Sequence, residues 1–296
     1  MCLGGRWFLE FGSMLKKIRK EKNITQVQLS SGIMERSHLS KLENNNYIPS
    51  YERVMYLLSR LNVSYEEFIY LCNDKNIPIE KNFFIELNEY YKTMDLNGFY
   101  SLNKKCATLF SVTNLIFYKH IELISRTYIK IYLNNKETNS SIIRDIEPIK
   151  QFLIKKEDWY MYELKLLNNC VFIFTLDEAI YFVERAVRSL EKYKYFEDYN
   201  SIKQSFYSHL SIKCIENKKF HEGFKYANKA IINSECYILT HENIVSKLNL
   251  EICKMGLNMK SNLFEKYITL LRELGCDKMI EKYEKIINKY LDSNGV

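Results

Sequence analysis

The segment Thr25-Gln26-Val27-Gln28 constrains the fold more than any other, because it fixes where one helix begins. It matches a capping box, in which the Thr25 hydroxyl accepts the backbone N–H of Gln28 and the Gln28 side chain accepts the N–H of Thr25. This helix must be short, since Ser30-Ser31-Gly32 supplies two poor helix formers and a glycine suited to a left-handed turn. Two short helices with a tight turn between them are therefore predicted.

The second helix of this pair is predicted over residues 36–43, where Leu39 and Leu42 lie three apart on one apolar face. Four polar side chains project elsewhere, namely Arg36, Ser37, His38 and Lys41. Seven lysines and arginines but only three acidic residues fall between Leu15 and Glu43, so the region is locally basic. This layout is typical of a helix-turn-helix that presents a recognition helix to DNA. The alternative for the four polar residues is an ordinary exposed face.

Further helix starts extend this pair to five short helices between Glu10 and Leu71. Ser50 follows a polar break and caps a helix with regularly spaced apolar residues, while Ser64 and Glu67 form a second capping box. A polar segment that ends in proline then marks a domain boundary. The predicted parts are an N-terminal extension at 1–8, a helix-turn-helix domain at 9–72, a linker at 73–78 and a helical repeat domain at 79–296.

The chain is predicted to be all-α, because nine glycines and three prolines in 296 residues are too few for a turn-rich β architecture. The formal charge of +7 suits a nucleic-acid partner, although many lysine-rich proteins bind nothing anionic. Eight cysteines without a C-x-x-C pair favour a reducing compartment. The longest apolar run, around Cys170 to Leu176, is too short to span a membrane. A cytoplasmic protein without a membrane partner is therefore predicted.

Small residues seven positions apart recur in the second domain. Ala179 and Ala186 lie on one predicted helix face, and Gly223 and Ala230 repeat this pattern forty-four residues later. Small side chains let a neighbouring helix approach closely, so the pattern predicts stacked helical hairpins similar to degenerate tetratricopeptide repeats. Four helices are predicted before these hairpins, at about 79–94, 98–110, 115–133 and 140–155.

These motifs resemble those of Xre-type helix-turn-helix domains, and most closely the Rgg/GadR/MutR regulators of Gram-positive bacteria. The resemblance rests on Glu10-Phe11-Gly12, Leu15, Ile18, Arg19, Leu29, the run from Ser37 to Glu43, and Pro49-Ser50. The interval from Leu29 to Ser40 has the shorter Rgg-like length, and residues 157–168 look like the tryptophan-containing segment of the Rgg C-terminal domain. The chain departs from the family's preferred residues at Ser30, Glu35 and Asn44. The resemblance implies a transcriptional regulator that binds double-stranded DNA, and many Rgg-like proteins respond to short secreted peptides.

No catalytic, metal or cofactor motif is found in the sequence. The five histidines are dispersed, and neither a glycine-rich phosphate loop nor a Ser/His/Asp motif is present. No enzymatic activity, no metal site and no cofactor are therefore predicted.

Candidate ligand residues follow from these expectations. Thr25 and Gln26 lie at a helix N-terminus, where backbone N–H groups can hold a DNA phosphate in addition to the capping role. Three polar residues are hypothesised to line a groove of the repeats that binds a short hydrophobic peptide, namely Arg144, Asn169 and Arg185. An apolar stripe over residues 263–271 predicts either capping of the repeats or pairing into a homodimer. The alternative function is a helical interaction module whose Xre-like domain docks a protein partner rather than DNA.

Overall fold

The computed structural model describes residues 4–73, 79–133, 138–233 and 241–290, and the regular secondary structure within them is entirely helical. This confirms the predicted all-α class. The chain separates into two compact units, Met1–Asn82 and Phe83–Val296. Most of the linker predicted at 73–78 lies outside the described residues. None of the described helices combines the length and apolar character needed to cross a membrane.

The first unit has the five predicted helices. They are α1 Gly4–Glu21, α2 Gln26–Ser30, α3 Arg36–Glu43, α4 Tyr51–Arg60 and α5 Tyr65–Cys72. Helix α1 begins at Gly4, so residues 4–8 of the predicted N-terminal extension continue this helix. A buried apolar residue from each helix meets in one core, formed in part by Leu15, Leu29, Leu39, Leu57 and Phe68. Helices α2 to α5 have between 5 and 10 residues and would be marginal alone, so the shared core stabilises them.

The helix starts in this unit follow the sequence signals. Thr25 Oγ1 accepts the N–H of Gln28 at 3.2 Å, and Gln28 Oε1 accepts the N–H of Thr25 at 2.8 Å, which confirms the capping box. Gly32 has a φ of +71°, the left-handed conformation predicted for the turn. Ser50 and Ser64 each accept a backbone N–H three residues ahead and so cap α4 and α5.

The second unit is a stack of helices that begins within α6, whose first four residues fall in the first unit. The helices are α6 Ile79–Thr93, α7 Leu96–Thr113, α8 Ile116–Tyr132, α9 Thr138–Ile154, α10 Met161–Asn168, α11 Leu176–Leu190, α12 Tyr199–Glu216, α13 Phe220–Ile232, α14 His241–Gly256, α15 Phe264–Glu273 and α16 Asp277–Tyr290. Short 3₁₀ turns follow α10 and α11, at Val171–Ile173 and Glu191–Tyr193. Helix α12 packs against α10, α11, α13, α14 and α16. Packing between successive helices confirms the predicted stack of hairpins.

The small residues of the repeat pattern lie where helices approach closely. Ala179, Ala186 and Ala230 are buried. A Cβ atom added to Gly223 would lie only 2.8 Å from the sulfur of Cys253, which belongs to the neighbouring helix α14. The short contact confirms that a small residue is needed at this position.

Helix α16 returns to α6, so the last and first helices of the second unit are in contact. Lys278 Nζ donates to the carbonyl of Met94 at 3.0 Å. Lys282 Nζ donates to the hydroxyl of Tyr91 at 3.2 Å. The bonded residues are 184 and 191 positions apart in the chain. The repeat pattern predicts contacts between neighbours only, and does not predict this closure.

The apolar stripe at residues 263–271 packs mostly within the second unit. Leu271 is fully buried, and Phe264, Tyr267 and Leu270 are partly buried against the same core. The stripe therefore contributes to the core between α14 and α16, and the capping role stays a prediction. The predicted homodimer stays a prediction.

Candidate nucleic-acid interface and ligand-binding cluster

Helix α3 has one apolar face and one polar face. Leu39 and Leu42 are buried in the core of the first unit. The four residues of α3 predicted to contact DNA are all exposed on the other face, namely Arg36, Ser37, His38 and Lys41. This face offers two cations, a hydroxyl and an imidazole, which are groups that bind base edges and phosphates.

A buried ion pair fixes the C-terminal end of α3. Glu43 accepts hydrogen bonds from Nε of Arg19 at 2.6 Å and from Nη2 at 2.9 Å. These bonds raise the pKa of Arg19. Arg19 also donates to the carbonyl of Ile24 at 2.8 Å, and Gln26 Nε2 donates to the Glu43 carboxylate at 2.9 Å. Helices α1, α2 and α3 are therefore joined at one carboxylate.

The short helix α2 is held at both ends. Thr25 caps its N-terminus, and the Arg60 guanidinium donates to the carbonyls of Gln28 and Leu29 at 3.1 and 3.0 Å near its C-terminus. These bonds satisfy carbonyl groups that a helix end otherwise leaves unpaired. Thr25 is exposed and Gln26 is half-buried. Their contact with a DNA phosphate stays a prediction.

His38 has an aromatic partner that the sequence pattern did not identify. Tyr47, in the loop after α3, stacks on His38 with the ring centroids 5.4 Å apart. Arg53 Nη1 donates to the Tyr47 hydroxyl at 2.7 Å. The stack limits the rotation of the His38 ring. The bond from Arg53 to Tyr47 brings a positive charge near the recognition face. The sequence of residues 44–49 predicts only a break between two helices. Tyr47, which follows three asparagines, was the only residue there that could indicate an aromatic contact.

The second unit contains a group of aromatic and basic side chains that we call the inner cluster. Its members are Tyr91, Tyr128, Tyr132, Phe172, His209 and Lys282. The centroid of the Tyr128 ring lies 5.6 Å from that of Tyr91, 6.3 Å from that of Tyr132 and 5.1 Å from that of Phe172. Phe172 in turn lies 6.5 Å from His209. Residues from α6, α8, α12, α16 and the 3₁₀ turn after α10 therefore converge.

The ammonium group of Lys282 has no carboxylate partner in the part of the chain that the structure describes, within a salt-bridge distance of 4.0 Å. Besides its bond to the Tyr91 hydroxyl, Nζ lies 5.6 Å from the centroid of the Tyr91 ring. Burial lowers the pKa of Lys282, but Tyr91 and the charge of Glu216 together more than offset this effect, and the pKa is raised. The side chain is half-buried and stays charged at neutral pH.

His209 and Tyr132 are neutral members of the inner cluster. Burial, followed by the nearby charge of Lys282, lowers the pKa of His209 to about 4. Burial also raises the pKa of Tyr132, so its hydroxyl keeps its proton. That hydroxyl oxygen is buried and has no hydrogen-bond partner among the described residues, and the same holds for Oδ1 of Asn168. Buried polar atoms are nearly always hydrogen-bonded. A ligand that formed hydrogen bonds with the Tyr132 hydroxyl and Asn168 Oδ1 would therefore bind more tightly.

The three residues predicted to line a peptide groove make contacts of different kinds. Asn169 is buried, and its Nδ2 donates to the carbonyl of Lys165 at 2.8 Å. Arg185 donates to two backbone carbonyls just before Trp159, and its guanidinium lies 4.5 Å from the centroid of the Trp159 ring. Arg144 is exposed on α9. Their roles in peptide binding stay predictions.

A helix-turn-helix unit followed by a stack of helices defines a class of bacterial regulators. Residues 12–73 match the model of a helix-turn-helix domain. Residues 117–285 match the model of the C-terminal domain of the HTH-type transcriptional regulator Rgg. Because the second match covers more than half of the chain, the protein belongs to the Rgg family of HTH-type transcriptional regulators.

Solved structures share this fold over nearly the whole chain. A regulator from Listeria monocytogenes EGD-e is 20% identical with a TM-score of 0.76, covering 97% of this chain and 99% of its own. The SHP pheromone receptor Rgg2 of Streptococcus dysgalactiae is 16% identical with a TM-score of 0.66, covering 95% and 99%. PlcR of Bacillus thuringiensis, solved with the peptide PapR7 and DNA, is 18% identical with a TM-score of 0.64, covering 95% and 100%. No curated protein sequence matches this chain.

Proposed function

We propose that this regulator is a cytoplasmic protein without enzymatic activity that binds double-stranded DNA as a homodimer. The observation that carries the proposal is the polar face of α3, which is exposed while Leu39, Leu42 and Glu43 anchor the opposite side. A recognition helix fixed in this way loses little conformational freedom when it enters the major groove. Two-fold symmetry would place two such helices about 34 Å apart, and so combine two small half-sites.

Each exposed residue of α3 has a role in this proposal. Arg36 and His38 contact base edges, since a guanidinium can bond two acceptors of one guanine and the Tyr47 stack holds the imidazole in place. Contacts to the phosphate backbone come from Thr25, Gln26, Ser37 and Lys41. Base contacts would specify the operator, and phosphate contacts would fix the register.

The second part of the proposal is that a short hydrophobic peptide binds the second unit and controls DNA binding. Support comes from two proteins of the same fold, one a pheromone receptor and the other solved with a peptide and DNA. The inner cluster supplies ring surfaces for apolar side chains and hydroxyl donors for peptide carbonyls. Arg144, Asn169 and Arg185 remain candidates for the same ligand. To change operator affinity, the peptide must bind one arrangement of the regulator more tightly than another.

The DNA-binding half of the proposal is tested with an operator selected from random duplex DNA by the full-length protein. Fluorescence anisotropy then gives the affinity at several salt concentrations. The Arg36→Ala/His38→Ala double variant should lose base preference, at about 1 to 3 kcal/mol for each lost contact. Lys41→Ala should weaken binding to all sequences and reduce its salt dependence.

Arg272→Ala serves as a matched control, because Arg272 is an exposed arginine of α15 in the other unit. This variant should bind the operator as the wild type does. Undiminished operator binding by the Arg36→Ala/His38→Ala variant would contradict the recognition role of α3. The interaction-module alternative would then be favoured, with the helix-turn-helix unit docking a protein.

A further inference from the structure

We propose that the inner cluster binds a carboxylate group of the ligand, with the ammonium of Lys282 as its counter-ion. The inference rests on the proposed peptide-binding function and narrows the class of peptide. The ligand would carry a carboxylate, either at its C-terminus or on an acidic side chain, next to apolar residues.

The charge of Lys282 gives the first argument. The ammonium group of Lys282 is half-buried beside the Tyr91 ring and has no carboxylate within 4.0 Å among the described residues, so it is available to pair with an anion. The bonded partner that the structure gives it is a neutral phenol, that of Tyr91. The charge of Glu216 helps to raise the pKa of Lys282, but the ion pair that Glu216 forms, at 3.9 Å, is with a different lysine, Lys213. An anion from outside the chain would therefore supply the direct ion pair that the described residues do not give Lys282.

The balance of donors and acceptors gives the second argument. The Tyr91 hydroxyl accepts from Lys282, so its own proton remains available for donation. The Tyr132 hydroxyl is a buried donor without a partner among the described residues, and neutral His209 carries one N–H. A carboxylate is an acceptor with about four lone-pair positions, so it suits this set of donors better than a neutral amide does.

The ring surfaces of the inner cluster give the third argument, which concerns the kind of anion. Tyr91, Tyr132 and Phe172 are half-buried next to the buried Tyr128, so each leaves part of its surface exposed. A small inorganic anion would lose hydration here without covering these rings. A carboxylate attached to an apolar side chain would bond to Lys282 and cover the rings together. An organic acid, such as the end of a hydrophobic peptide, therefore fits best.

Three small probes test the inference on the full-length protein at pH 7. They are N-acetyl-Leu-Phe with a free C-terminal carboxylate, its C-terminal amide, and N-acetyl-Asp-Phe amide, whose only carboxylate is on a side chain. Affinities are measured by titration with ligand-observed NMR. We expect the free acid to bind about ten-fold or more tightly than its amide, since hydrogen bonds to charged groups are the stronger ones. The third probe shows whether a side-chain carboxylate serves equally well.

Substitutions at the lysine separate its charge from its bulk. Lys282→Met should remove the preference for the acid and leave the affinity for the amide unchanged, while Lys282→Arg should keep the preference. Lys285→Met is the control, because Lys285 is exposed on the same helix. Tyr91→Phe removes one donor and should weaken the acid alone, by about three-fold. Circular dichroism confirms that each variant is folded.

Two outcomes would overturn the inference, and they have different meanings. Equal binding of the acid and the amide, or an undiminished preference for the acid in Lys282→Met, would refute the carboxylate assignment and leave peptide binding in place. Failure of all three probes to bind would contradict both the carboxylate assignment and the proposed peptide function. Operator binding in the absence of a ligand is independent of either result.

Discussion

The two units differ in the partner that they give to a cationic side chain with little access to water. In the first unit, Arg19 is bonded to both oxygens of Glu43 and to the carbonyl of Ile24. In the second unit, Lys282 is bonded to the neutral hydroxyl of Tyr91 and lies near the ring of the same residue. Arg19 therefore has its counter-ion within the fold, whereas Lys282 does not have one among the described residues.

This difference indicates where each unit can interact with other molecules. Among the described residues of the first unit, no buried side-chain nitrogen or oxygen lacks a hydrogen-bond partner, and the binding proposed for this unit uses the exposed side chains of α3. In the second unit, the Tyr132 hydroxyl has no partner among the described residues, and the acceptor of Lys282 is a neutral hydroxyl. The site proposed in the first unit is therefore on its surface, whereas the site proposed in the second unit is among partly buried side chains.

The largest expected effect comes from removing the counter-ion of Arg19. Glu43→Ala leaves a buried guanidinium uncompensated, and should destabilise the first unit by about 3 to 5 kcal/mol. Hydrogen exchange measured by mass spectrometry should show faster exchange throughout α1, α2 and α3. Lys16→Ala is the control, because it removes only a more exposed bond to Asn44 and should change stability by less than about 0.5 kcal/mol. Unchanged hydrogen exchange in Glu43→Ala would show that Glu43 does not stabilise the fold as the counter-ion of Arg19, and so contradict the comparison between Arg19 and Lys282.

Acid should destabilise the second unit selectively, because it holds buried neutral histidines. Burial lowers the pKa of His120 from 6.5 to about 4, and its Nδ1 lies 2.7 Å from the Tyr162 hydroxyl. Between these two values the unfolded chain binds a proton that the folded chain does not, so stability falls as the pH falls from 6.5 to 4. The loss from His120 alone should be about 2 kcal/mol at pH 4.5 relative to pH 7.

Urea unfolding at several pH values measures this loss. His120→Gln should flatten the pH dependence, whereas His221→Gln, at an exposed position, should not. An identical pH dependence in His120→Gln and the wild type would contradict the assigned role.

A smaller effect is expected at Lys282. Lys282→Met removes an ammonium group whose bonded partner is a neutral hydroxyl and keeps most of the apolar stem, so it should change the stability of the ligand-free protein by about 1 kcal/mol or less. Thermal unfolding measures the change. A clear loss of stability, comparable to that expected for Glu43→Ala, would mean that the two buried cations are equally well compensated and that the contrast between the units is wrong.

The smallest expected effect concerns the exposed face of α3. Tyr47→Phe keeps the ring that stacks on His38 but removes the hydroxyl that accepts from Arg53. Operator affinity should fall by about 0.5 kcal/mol, the low end for one solvent-accessible hydrogen bond. Tyr47→Ala should cost more because it removes the stack. Equal affinity of both variants for the operator would show that His38 does not depend on the stack.

Local signals in the sequence predicted the first unit well. The capping box at Thr25 and the left-handed Gly32 depend on residues a few positions apart, so periodicity and turn chemistry are sufficient to predict them. The same local logic identified the polar residues of α3, and solvent exposure of that face is confirmed. Tyr47 was missed because its partner His38 lies across a turn rather than on the same helix.

The inner cluster could not be predicted in this way. Tyr91 and Lys282 are 191 positions apart, and helical periodicity shows which face of a helix is apolar but not which other helix it meets. Asn169 was a reasonable candidate as an amide near an apolar helix, yet its side chain bonds to Lys165 one turn back. Such a local bond is common for asparagine at a helix end, and sequence does not distinguish it from a bond to a ligand.

The contact between α6 and α16 also bears on how the second unit folds. In an open array of repeats each hairpin needs only its neighbour, so folding can begin anywhere and spread. Here the bonds from Lys278 to Met94 and from Lys282 to Tyr91 close a loop of nearly the whole unit. The entropic cost of closing a loop grows only slowly with its length, but non-local contacts form late and slow the overall rate. The inner cluster is therefore expected to assemble in the last step of folding, after both ends of the unit have been synthesised.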